Sequence, residues 1–153
     1  MKILVAEDEP ILIRTIEMRL KRDGHEVLLA EDGQQALDKL EEGPPDLIIT
    51  DIMMPYASGL EIIAAIRAKG WPKVPVIILS GMGQEDVGVV SAIIRDVARD
   101  RAVLMVEHNL SVVANICQHV TVLQRGEILA EGDYATVSQD ERVRVAYMGT
   151  EEH

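Results

Sequence analysis

Asp46-Leu47-Ile48-Ile49-Thr50-Asp51-Ile52-Met53-Met54-Pro55 decides how this chain is read. Leu47 to Thr50 is a short run of apolar and β-branched residues that ends on a carboxylate. A run of that length reads as a strand, and unbroken apolar character means burial on both faces. Strands of that kind belong to a parallel sheet wrapped by helices. The same unit recurs on both sides. Ile3 to Ala6 is an apolar run that ends in Glu7, Asp8 and Glu9, and Pro10 then opens a helical pattern through Ile13, Ile16 and Leu20 that closes at Gly24. Glu26 to Ala30 is a further strand, followed by a short helix capped by Asp32 and stopped at Gly43. Ser58-Gly59 leads into a helix over Leu60, Ile63 and Ile66, closed by Gly70. Val74 to Leu79 and Val103 to Val106 complete the strands. A helix over 87–99 lies between them, with Val90, Ile93, Ile94 and Val97 on its period, and a helix from Leu110 to Cys117 follows. Right-handed crossovers leave a doubly wound parallel sheet as the best arrangement.

After residue 120 the pattern changes. Thr121 to Gln124 and Glu127 to Ala130 flank Arg125-Gly126, a hairpin signal, and 133–148 reads as a closing amphipathic helix with a break near Ser138. All lysines (Lys2, Lys21, Lys39, Lys69, Lys73) precede residue 74.

Composition narrows the function classes. The chain has 153 residues, 26 Asp and Glu against 15 Lys and Arg, and a net charge of −11. Acidity of that size repels phosphates and argues against nucleic-acid binding. No run of about 18 apolar residues is present, so no membrane span is expected. Acids follow the first strand at once, unlike a signal peptide. With Cys117 as the single cysteine, no internal disulfide can form, and a reducing cytoplasm is expected.

In a doubly wound sheet, ligands sit at the carboxyl ends of the strands. The first strand ends in Glu7 and Asp8, the third in Asp51. If those strands are neighbours, three carboxylates converge and raise one another's pKa. A hard divalent cation with oxygen ligands resolves the repulsion, and Mg²⁺ fits best. Beside a bound metal, Asp51 can attack phosphorus and form an acyl phosphate. Ser80, at the end of the fourth strand, could donate a hydrogen bond to a phosphoryl oxygen.

Several motifs together carry a family resemblance. They are Ile3-Leu4-Val5-Ala6-Glu7-Asp8-Glu9-Pro10, 46–55, Ser58-Gly59-Leu60-Glu61 and Val74-Pro75-Val76-Ile77-Ile78-Leu79-Ser80-Gly81. Residues 1 to about 85 resemble the receiver domain of bacterial two-component response regulators. The resemblance implies Asp51 as phospho-acceptor and Glu7 and Asp8 as holders of Mg²⁺. It implies the backbone carbonyl of Met53 as a further ligand and Ser80 as the hydroxyl that moves on activation. A histidine kinase or phosphotransfer protein is the partner it implies.

The pattern then fails. A receiver carries a lysine at the end of its fifth strand, where this chain has Val106-Glu107-His108-Asn109, and the aromatic switch residue of that strand is missing too. From about Val87 onward the chain resembles the C-terminal part of an ABC transporter ATPase subunit of the branched-chain amino-acid importer type. Leu104-Met105-Val106-Glu107-His108-Asn109-Leu110, 120–132 and Ala146-Tyr147-Met148-Gly149 carry that likeness. It implies His108 as a switch histidine. The glycine-rich phosphate loop that such ATPases need is absent from the sequence, so ATP hydrolysis is not expected.

The expectation is one α/β domain over 1–153, receiver-like over 1–85 and ATPase-like over 86–153, joined near 83–90. The sheet takes the flavodoxin-like order 2-1-3-4-5, extended by a C-terminal β-hairpin and helix, with the Thr121 strand beside the fifth. The exposed edge is open to dimer formation by strand pairing between chains. The simplest account is an engineered chimeric scaffold, not an enzyme, that keeps a receiver-type acidic pocket. The alternative is a working response-regulator receiver phosphorylated on Asp51.

Overall fold

The computed structural model describes residues 1–79 and 87–148. The chain divides into two compact units, Met1–Glu107 and His108–His153.

The first unit alternates strand and helix: β1 (Lys2–Ala6), α1 (Pro10–Arg22), β2 (Glu26–Ala30), α2 (Gly33–Leu40), β3 (Leu47–Asp51), α3 (Gly59–Ala68), β4 (Val76–Leu79), α4 (Val87–Val97) and β5 (Val103–Val106). The sheet has the expected order β2-β1-β3-β4-β5, with every pairing parallel. Local chemistry sets the helix ends. Pro10 occupies the first turn of α1, where its missing N–H costs nothing. The Asp32 carboxylate accepts from the Gln35 N–H at 2.8 Å and starts α2. Ser58 and Glu61 form a reciprocal capping box on α3. Gly24 (φ 84°) and Gly70 (φ 76°) follow α1 and α3 in the left-handed conformation that terminates a helix.

Alternation divides the sheet residues between two faces. Ile3, Val5 and Ile49 face α1 and pack with its Ile13, and Ile77 and Leu79 lie at the margin of that cluster. Leu4, Ala6, Ile48, Val76 and Ile78 take the opposite face and are fully buried, as are Ile62, Ile63 and Ile66 of α3. Each of the Val, Leu and Ile side chains among them contributes about 1.5–3 kcal/mol by leaving water. On β5, Leu104 pairs with Ile77 and Val106 with Leu79, so both point to the α1 side. They remain 60% and 56% exposed at the edge of the sheet.

The second unit holds α5 (Leu110–Ile116), β6 (Val120–Gln124), β7 (Glu127–Gly132), α6 (Tyr134–Gln139) and α7 (Glu141–Met148). The hairpin turns at Arg125 (φ 52°) and Gly126 (φ 83°), the left-handed pair that a tight two-residue hairpin turn requires. Val122, Val137 and Val143 form its core. One sequence expectation is corrected here. The Thr121 strand does not join the main sheet, because β6 and β7 form a two-stranded antiparallel sheet of their own. The expected break near Ser138 in the last helix falls at Asp140. Asp140 is extended (ψ 120°), and its carboxylate accepts from the Arg142 N–H at 2.9 Å, which starts a new helix. Among the described residues, no helix is long and apolar enough to cross a membrane.

Candidate functional site

Adjacency of β1 and β3 brings the acids together. Ala6 pairs with Thr50, so Glu7 and Asp8 leave one strand beside the point where Asp51 ends the other. One carboxylate oxygen from each of Glu7, Asp8 and Asp51 lies within 4.8 Å of the other two. Glu7 is buried, Asp51 half-buried and Asp8 exposed.

Backbone donors aim two of the carboxylates. The Glu9 N–H donates to Glu7 Oε1 at 3.0 Å, and the Met53 N–H donates to Asp51 Oδ1 at 3.2 Å. The electrostatics work against ionisation. Burial raises the Glu7 pKa, the Glu9 N–H opposes it, and the charges of Asp51, Asp8 and Glu9 add to the rise. Asp51 is likewise raised, first by burial and then by Asp8, against the N–H groups of Met53 and Ile52. Among the described residues, no cation contributes to either shift. The donor set is all oxygen and carries excess negative charge. It therefore suits a hard divalent cation such as Mg²⁺, which would relieve the repulsion.

The loop after Asp51 is held by close contacts that sequence reasoning did not single out. The Gly59 N–H donates to the Ile52 carbonyl at 3.0 Å, and the Gly33 N–H donates to the Pro55 carbonyl at 3.1 Å. A Cβ on Gly33 would lie 1.8 Å from the Ala57 carbonyl oxygen, so only glycine lets α2 start against this loop. Between them the Ala57 N–H donates to the Pro55 carbonyl at 2.9 Å, closing a γ-turn with Tyr56 at φ 68°. Tyr56 and Met53 are both exposed. The available signal was the Asp32-Gly33 cap beside a Pro55-Tyr56-Ala57 turn, but nothing local says that the two meet.

Ser80 lies outside the described residues, as does part of the expected junction. Met53 lies two residues beyond Asp51, with its N–H on the Asp51 carboxylate. Glu107 directly follows β5, whose Val106 pairs with Leu79, which in turn pairs with Asp51. That is the strand end where the family pattern has lysine. Two neighbouring strand spacings put it roughly 10 Å from β3.

The family model of the response regulator receiver domain matches residues 3–100, well over half of the chain. The chain belongs to the response regulator receiver family. The response regulator RR06 of Streptococcus pneumoniae is 41% identical to the receiver sequence over 85 residues, 56% of this chain and 38% of that protein. The alkaline phosphatase synthesis transcriptional regulatory protein PhoP of Bacillus subtilis is 36% identical over 84 residues, 55% of this chain and 35% of its own. The chain thus spans little more than a third of the length of these curated relatives. Among solved structures, the response regulator protein TrrA of Thermotoga maritima, crystallised with Mg²⁺-BeF, is 32% identical. It superposes with a TM-score of 0.54 over 71% of this chain and 89% of that one. A second family, the branched-chain amino acid ATP-binding cassette transporter, matches residues 127–153. The two matches do not overlap, and 101–126 lies between them.

Proposed function

We propose that this chain is a composite receiver. It keeps the metal-binding and phospho-accepting end of the sheet, and it has no evolved output through β5. One observation carries the reading: Glu7, Asp8 and Asp51 converge where β1 and β3 end, while the strand that should supply a lysine ends in Val106-Glu107. The carboxylates of Glu7, Asp8 and Asp51, with the Met53 carbonyl, would hold Mg²⁺, which when bound supplies positive charge to an incoming phosphoryl group. Asp51 is the acceptor. Its carboxylate oxygen forms the new bond to phosphorus as the donor's leaving atom, the imidazole nitrogen of a phosphohistidine or the acetate oxygen of acetyl phosphate, departs with the electron pair of the broken bond. Ser80 is the hydroxyl that would contact the transferred group. In this reading the part after about residue 85 derives from an ABC ATPase, and its His108 has no nucleotide to sense. The chain is not an enzyme in its own right. Its donor would be a histidine kinase or phosphotransfer protein, and the free edge of β5 is where a second copy would pair.

The intact acid cluster also favours a second reading, a working receiver phosphorylated on Asp51 for signal transduction. Incubation with acetyl phosphate, with and without Mg²⁺, followed by intact mass tests the shared core of both. Slow, Mg²⁺-dependent gain of one phosphoryl group that Asp51→Asn abolishes is expected. No modification after long incubation would leave only the inert scaffold. Rapid, complete modification would favour the working receiver.

A further inference from the structure

The loop that carries Met53 is set from outside, by the start of α2. Gly33 is the first residue of that helix, where the N–H has no partner within the helix. It donates instead to the Pro55 carbonyl at 3.1 Å, and the same carbonyl accepts from the Ala57 N–H at 2.9 Å. The fit is tight. Besides the Ala57 carbonyl oxygen, a Cβ on Gly33 would meet the Ala57 carbonyl carbon at 2.5 Å and its Cα at 2.7 Å. All three atoms are backbone, so nothing there can swing aside. Gly33 and Ala57 are both buried.

A stiff link runs from this contact to Met53. The ring of Pro55 locks its φ, and Met54, which precedes a proline, is confined to extended backbone. Little freedom is left between Pro55 and Met53 to absorb a shift. On the other side Tyr56 sits at φ 68°, where a residue other than glycine is kept only by its surroundings. The near end of the loop is fixed as well, by the Gly59 N–H on the Ile52 carbonyl at 3.0 Å and the Met53 N–H on Asp51 Oδ1 at 3.2 Å. The Met53 carbonyl lies between these two anchors.

We propose that Gly33 is a positioning residue for the metal site: through Pro55 it sets where the Met53 carbonyl stands relative to Glu7, Asp8 and Asp51. The proposal rests on the reading of those four residues as the Mg²⁺ site. An alanine at position 33 must drive the helix start and the 55–57 backbone apart by more than about 1 Å to reach an ordinary carbon–oxygen contact. Mg²⁺ tolerates little departure from octahedral geometry, so a displaced carbonyl weakens its binding.

The test is Mg²⁺ titration of the full chain, followed by the amide shifts of Glu7 and Asp8, with Tm measured alongside in EDTA. Gly33→Ala should need at least several-fold more Mg²⁺ for half-saturation than the parent. Leu40→Ala removes a buried side chain at the far end of α2 and leaves the Gly33 contact intact. It should lower Tm and leave the Mg²⁺ midpoint unchanged, which separates positioning from support of the helix. Pro55→Ala keeps the carbonyl but loosens the link, and should also weaken Mg²⁺. It decides the matter if Gly33→Ala fails to fold. An unchanged midpoint in Gly33→Ala, or in Pro55→Ala where Gly33→Ala does not fold, would overturn the proposal. So would an equal weakening in Leu40→Ala, since any damage to α2 would then act alike. A parent chain that shows no saturation would remove the metal site itself, and the proposal with it.

Discussion

Gly59 lies so close to Asp51 that a Cβ on it would sit 2.1 Å from the Asp51 carbonyl oxygen. The first residue of α3 thus packs directly on the backbone of Asp51. Gly59 is not in the left-handed region, so the constraint is space rather than conformation. Gly59→Ala must push α3 away from the end of β3. A loss of about 1–3 kcal/mol is expected, the usual cost of overpacking. Urea denaturation measures it, and an unchanged midpoint would show that the loop yields freely.

The three carboxylates should bind Mg²⁺ weakly, since the ion keeps several waters in a site of this kind. Titration followed by amide shifts should saturate in the millimolar range, with Glu7, Asp8 and Met53 among the residues affected. Asp51→Asn should weaken the response. A flat titration would mean that the acids do not converge in solution.

Glu7 and Asp51 are both raised, so the folded chain holds their protons more tightly than the unfolded chain does. Between the unfolded and folded pKa values, stability therefore falls as pH rises. This contribution is complete below the ordinary carboxylate range, about pH 4, and is lost as pH climbs through the raised values. With EDTA present, Asp51→Asn should show a shallower decline than the parent chain and greater stability at neutral pH. Millimolar Mg²⁺ should recover part of the parent's loss. Parallel pH profiles for the two proteins would contradict the proposed repulsion.

Phosphorylation should have little consequence beyond the site. A missing charge-assisted contact to the phosphoryl group costs on the order of 1.5–3 kcal/mol, or roughly one to two powers of ten in rate or equilibrium. Coupling should suffer more than chemistry, because the strand-five aromatic of the switch is absent from Val103-Leu104-Met105-Val106. Amide spectra with and without beryllofluoride and Mg²⁺ should differ only near Asp51 and its loop. Changes spreading through β5 and α5 would establish a working switch and end the composite reading.

The strands and helices of the first unit were legible because their signals are local. Leu47 to Thr50 could only be a buried strand, and Pro10, Asp32 and Ser58 mark helix starts by their own hydrogen-bonding chemistry. The acids were legible as the ends of apolar runs, but that β1 and β3 are neighbours followed from the resemblance to receiver domains and its sheet order, not from the residues alone. What remained hidden depends on contacts between distant segments. Gly33 and Ala57 are far apart in sequence, and only folding shows that no Cβ fits between them. The pairing of β6 with β7 alone was a choice among sheet edges that an alternating strand pattern does not encode. Arg101 reads in sequence as one more surface cation between a helix and a strand. Its burial, and the pairing of Arg67 with Asp96 and Asp100, exist only once α3, α4 and β5 are in place.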